Sequence, residues 1–142
     1  MRIHSLTPYA HVADLHRSIA FYARLGLEVR NRHVDGEVLA WAPLATPTAD
    51  RRAAGARLMI AAADRPIDAS KQAVLFYCWT DDARTLRAEL VVADVQVGPI
   101  EHPFSMRAGE LEVVDPDGYV VLVGQLDAGT PRPGASASDE RP

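Results

Sequence analysis

The residues of this chain that could do chemistry are few and scattered. His4, His11, His16, His33 and His102 are the five imidazoles. Such groups serve as metal ligands, general bases or polar contacts according to their neighbours. His16 and His33 read as solvated surface residues. His11 and His102 are the two that could meet a ligand. Glu110 and Glu112 lie in an apolar run and could face either way. Glu110 and His11 are the candidate general bases. Cys78 is the single thiol, set between Tyr77 and Trp79. Strand parity turns it away from those rings, so it is expected to be buried and inert rather than nucleophilic. Ser18 has no His–Asp partner in a recognisable motif. Asp115 and Asp117 flank Pro116 ahead of Gly118, and read as turn residues rather than an acid/base pair.

The elements that must position these groups follow from periodicity. Asp115-Pro116-Asp117-Gly118-Tyr119 is a turn between two apolar runs, Glu110–Val114 and Val120–Gln125, and predicts a β-hairpin. Ile3–Val12 reads as a strand, with Leu6, Ala10 and Val12 on one face and Thr7, Tyr9 and His11 on the other. Asp14 caps a helix in which Leu15, Ile19, Tyr22 and Leu25 recur at helical spacing, ended by Gly26. Leu27–His33 alternates, Asp35-Gly36 is a hairpin signal, and Val38–Ala42 is the next strand. Pro43–Gly55 reads as a mobile loop, Ala56–Ala62 as a strand, and Asp64–Lys71 as a linker. The order then repeats. Ala73–Thr80 is a strand, Asp81 or Asp82 caps a helix through Leu86 and Leu90, and Val95–Val97 is a short strand. Glu101–Ala108 is a loop ahead of the hairpin. The duplication is one of pattern, not of letters. The segment after Asp127 is nearly devoid of apolar residues and is expected to be disordered.

Composition narrows the function classes. The chain has 142 residues, 48% of them apolar, and a net charge of −4. That is the size of one domain with a core of ordinary extent. No basic patch is available for nucleic acid, and no apolar run approaches a membrane span. A lone cysteine excludes an internal disulfide and fits a reducing, cytoplasmic compartment.

Three stretches carry a resemblance: VADLHRSIAFYARLGLEV, TDDARTLRAEL and VVDPDGYVVLVGQ. Over roughly residues 5 to 126 the chain resembles the vicinal-oxygen-chelate superfamily. That superfamily includes glyoxalase I, extradiol dioxygenases, fosfomycin-modifying enzymes and bleomycin-binding resistance proteins. The resemblance implies an α+β fold of two βαβββ modules, about 1–64 and 72–127, whose mixed sheets curl around a cleft. It also implies a homodimer.

The family's metal ligands come from inner strand faces. The matching positions here are Thr7, near Met59, Leu75 and Leu122. Alkyl side chains and a thioether do not hold Mg, Mn, Fe, Ni or Zn as carboxylates and imidazoles do. A one-residue slip brings no His or Glu to Met59, Leu75 or Leu122. No metal or other cofactor is therefore expected.

If Thr7 and Leu75 face the cleft, parity places Tyr9, His11, Tyr77 and Trp79 there too. Trp41 and Met59 are expected companions, with His102 nearby and Phe104 and Met106 folding over from the loop. Such a pocket suits a flat, partly apolar small molecule. The alternative is that these residues only fill the core. Two functions are in view. One is a metal-free protein, similar to the bleomycin-resistance type, that sequesters an aromatic antibiotic or metabolite. The other is a lyase, isomerase or dioxygenase-like enzyme with a non-standard or absent metal site.

Overall fold

The computed structural model describes residues 6–47 and 55–127. The expectations for His4 and the first residues, for most of the 43–55 loop and for the tail lie outside the described residues. Ten elements are used below: β1 (Tyr9–Val12), α1 (Leu15–Arg24), β2 (Glu28–Val29), β3 (His33–Asp35), β4 (Val38–Ala45), β5 (Arg57–Ala62), β6 (Leu75–Thr80), α2 (Ala83–Val92), β7 (Glu110–Val114) and β8 (Val120–Gln125).

The strands form two mixed sheets. One has the order β1-β5-β4-β2, with β3 also paired to β4; the other runs β6-β8-β7. The duplicated pattern reappears as topology. β1 pairs parallel with β5, and β6 pairs parallel with β8, each pair joined through a helix and antiparallel strands. Parallel neighbours need such a crossover.

Both helices start where an aspartate can cap them. Asp14 accepts from the Arg17 amide at 3.0 Å, and Asp82 accepts from the Thr85 amide at 2.9 Å. Each carboxylate satisfies one of the orphan donors of a first turn. α1 ends before Gly26, whose φ of 84° suits a residue without Cβ. The helices cover one face of each sheet. Ala10, Val12, Leu58, Ile60, Ala42 and Leu44 bury themselves against Leu15, Phe21 and Tyr22, continuous with Leu90, Leu111, Val113, Val121 and Val123.

Several boundaries differ from the sequence reading. β1 starts at Tyr9, and Leu6 is 87% exposed rather than on the core face. The strand expected over Leu27–His33 is split into β2 and β3. Residues 30–32 lie between them outside any strand, and within β3 the register shifts between His33 and Val34, a bulge against β4. β4 runs through Pro43 to Ala45 instead of stopping at Ala42. Pro43 removes one donor, yet its carbonyl accepts from the Arg30 amide at 2.9 Å, and the pairing continues. Val95–Val97 reduces to a single bridge between Val97 and Val113.

The Asp115–Tyr119 turn does more than close a hairpin. Asp115 Oδ1 accepts from the amides of Asp117 and Tyr119, both at 2.8 Å, as the sequence predicts for a turn aspartate. Its Oδ2 accepts from the Tyr22 hydroxyl of α1 at 2.8 Å. Asp117 accepts from the Ala13 amide at 3.1 Å, and from Arg17 and Ser18 at 3.5 Å. The Tyr119 hydroxyl donates to the His11 carbonyl at 3.0 Å. The turn of the second sheet is thus pinned onto the start of the first helix. These polar groups are buried only because each finds a partner.

Candidate functional site

Among the described residues, each sheet keeps one face that no helix covers. Parity decides what stands on it. In β6, Phe76 and Cys78 turn towards the core, while Leu75, Tyr77 and Trp79 turn away. Cys78 is partly rather than fully buried, and burial pushes its thiol pKa up. In β1, Ala10 and Val12 are buried while Tyr9 and His11 stand on the open face.

Register sets the neighbours across each face. On the first sheet Tyr9, Met59 and Pro43 lie in one row. The next row is His11, Ala61, Trp41 and His33. Tyr9 and His11 meet edge to face at 5.7 Å. His33 is not the freely solvated residue expected from sequence. Its ring stacks on Trp41 with centroids 3.6 Å apart and planes 4° from parallel. The β3–β4 pairing, which puts the two residues opposite each other, is the cause.

On the second sheet Trp79, Gly124 and Glu110 form one row, and Tyr77, Leu122 and Glu112 the next. The Tyr77 and Trp79 rings lie 5.1 Å apart at 54°. They are 40% and 39% exposed. The Tyr77 hydroxyl donates to Glu110 at 2.5 Å. Burial and this carboxylate together push the phenol pKa up to about 12, so Tyr77 remains a neutral donor at pH 7. Glu110 and Glu112 both face outward with the aromatics, which alternation alone left open.

Gly124 is the residue whose importance was not read from the sequence. A Cβ there would sit 2.8 Å from the Tyr77 hydroxyl and 3.2 Å from two Trp79 ring atoms. Both side chains lie in the space that glycine leaves. The signal was a single glycine inside a strand pattern, which marks a close approach.

The remaining candidates sit in the loop that leads into β7. Phe104 is 86% exposed, with the Arg107 guanidinium 5.0 Å from its ring centroid. His102 Nδ1 bonds the Arg107 carbonyl at 2.8 Å, within the same loop. Met106 is half-buried, its amide bonded to the Pro103 carbonyl at 2.9 Å. Of the sequence-derived set, Tyr77 and Trp79 come together on one sheet. Tyr9, His11, Trp41 and Met59 come together on the other.

The positions matching the family's metal ligands offer a hydroxyl at Thr7, a thioether at Met59 and alkyl groups at Leu75 and Leu122. Leu122 stands directly across from Tyr77. That donor set does not fit a divalent cation, which takes carboxylate oxygens or imidazole nitrogens.

The chain is similar in fold to several solved structures. A bleomycin-binding protein complexed with bleomycin is 21% identical, with a TM-score of 0.63 over 87% of this chain and 98% of that one. An antibiotic binding protein from Streptomyces sp. CB03234 is also 21% identical, with a TM-score of 0.66 over 89% and 99%. The trypanothione-dependent glyoxalase I of Leishmania major is 24% identical, with a TM-score of 0.60 over 88% and 87%. No curated protein matches the chain. The family model that matches spans residues 2–123, most of the chain and both sheets. By that match the chain belongs to the Glyoxalase/Bleomycin resistance protein/Dioxygenase superfamily.

Proposed function

We propose that this protein is a metal-free small-molecule-binding protein of the bleomycin-resistance type, which sequesters an aromatic antibiotic or metabolite in the cytoplasm. The observation that carries the reading is the Tyr77–Trp79 pair. Two large rings stand about two-fifths exposed on a face without a helix, while the other face of the same sheet is packed. Exposed aromatic surface of this kind marks a contact for something outside the chain. Stacking on such a ring contributes ~0.5–1.5 kcal/mol beyond area burial. The donor set at the family's ligand positions supports binding without a metal. Binding proteins for bleomycin and other antibiotics share the fold.

We extend the reading to a homodimer in which a second copy helps enclose the open faces. Leu75 and Tyr9, both more than half exposed there, supply apolar surface for such a contact.

The test is a thermal-shift screen of bleomycin and a panel of flat aromatic antibiotics, paired with metal analysis of the purified protein. A ligand that binds only the native state at a hundredfold excess over Kd adds ~2.7 kcal/mol. The expected result is a clear rise in Tm with at least one aromatic compound and no stoichiometric metal. Retention of Ni, Zn, Mn or Fe through a mild chelator wash would overturn the reading. Light scattering should give the mass of two chains.

A further inference from the structure

We propose that the open face of the second sheet is a subsite for a flat organic cation, with the Trp79 ring as its platform and Glu110 and Glu112 as its counter-charges. The inference rests on the aromatic-binding reading above and narrows its ligand class.

The platform is preformed. Trp79 lies over Gly124, and Tyr77 fills the rest of the space that a Cβ would take. Tyr77 is itself held by its bond to Glu110, so neither ring has to be ordered when a ligand arrives. That bond engages Oε2 of Glu110 and not Oε1.

The strand positions of this open face carry charge of one sign. The open-face positions are Leu75, Tyr77 and Trp79 on β6, Glu110, Glu112 and Val114 on β7, and Val120, Leu122 and Gly124 on β8. None is Lys, Arg or His. Glu101 adds a third carboxylate, paired directly across from Glu110 through an antiparallel bridge. Like charges directly opposite each other cost stability. A ligand cation would remove that cost. The face of an indole also attracts a cation, more so once desolvated. A flat body on Trp79 with a positive charge reaching the β7 edge satisfies both features. A flat anion would meet uncompensated carboxylates.

The test compares three probes of similar shape by calorimetry: proflavine, a flat cation; acridone, its neutral relative; and 9-anthracenecarboxylate, a flat anion. Each is titrated into the wild-type protein and into Glu112→Gln and Glu110→Gln/Glu112→Gln, with Tm as the folding control. The Glu110→Gln change keeps an acceptor for the Tyr77 hydroxyl, and Glu112 is exposed, so Glu112→Gln serves alone if the double variant unfolds. Proflavine should bind about tenfold or more tightly than the anion, a gap set by charge on a shared stacking surface. The gap should shrink severalfold in Glu112→Gln and further in the double variant. Equal or tighter binding of the anion, or a gap unchanged in the variants, would overturn the cation subsite and leave the aromatic-binding reading standing. No binding of any of the three probes would overturn both.

Discussion

The hydroxyl of Tyr22 donates to Oδ2 of Asp115 across 2.8 Å and 93 residues of sequence. Both groups are buried. Burial pushes both pKa values up, so Tyr22 stays protonated as the donor. This bond joins the helix of the first unit to the turn of the second.

Removing the donor tests that joint. Tyr22→Phe keeps the ring in the core and deletes one hydrogen bond. It leaves Oδ2 of Asp115 buried without its partner, which costs about 1–3 kcal/mol. Urea unfolding should show that loss with an unchanged slope. A change within about 0.5 kcal/mol would mean the joint adds nothing to stability.

Gly118 tests the same turn by geometry. Its φ is 83°, and a Cβ there would lie 2.6 Å from the Ala69 Cβ and 2.8 Å from its Cα. Gly118→Ala therefore meets both an unfavourable backbone region and a backbone clash. A loss of at least about 1–3 kcal/mol is expected in chemical denaturation. A variant as stable as the parent would show that the turn moves freely against 69–71.

The two helix caps set part of the response to acid. Amide hydrogen bonds, from Arg17 to Asp14 and from Thr85 to Asp82, hold both carboxyl pKa values below the ordinary value. A carboxyl whose folded pKa is depressed contributes stability above its unfolded pKa, near 3.9, and loses it as pH falls through the folded pKa. Asp115, raised by burial, works in the opposite sense. Replacing both caps by Asn keeps a capping oxygen and removes the titration. Melting curves of Asp14→Asn/Asp82→Asn and the parent should differ at pH 7 and converge as pH falls below about 4. A difference that stays constant down to low pH would show that the caps do not titrate in this way.

Most of the frame was legible in the sequence, because it rests on local chemistry. Asp14, the Asp81-Asp82 pair, of which Asp82 is the cap, and Gly26 announce helix ends through groups that act within one turn. The alternation in Leu75–Thr80 sorts Cys78 from Tyr77 and Trp79 without knowledge of any neighbour. Relations between elements were not legible. His33 stacking on Trp41 and Gly124 making room for two rings depend on register, and Asp117 reaching Ala13 on how the second sheet's turn packs against the first helix; no local pattern encodes either. The stretch from Pro43 was read as loop from its composition. The Pro43 carbonyl carries strand pairing instead.

The most direct test of the binding account is Trp79→Ala, with stability and proflavine affinity measured on the same sample. A ring 39% exposed over Gly124 contributes little to the core. The account predicts a stability loss below about 1.5 kcal/mol and an affinity loss of about tenfold or more. A loss of about 3–5 kcal/mol, the cost of truncating a packed aromatic, with affinity unchanged, would place Trp79 in the core and contradict the account.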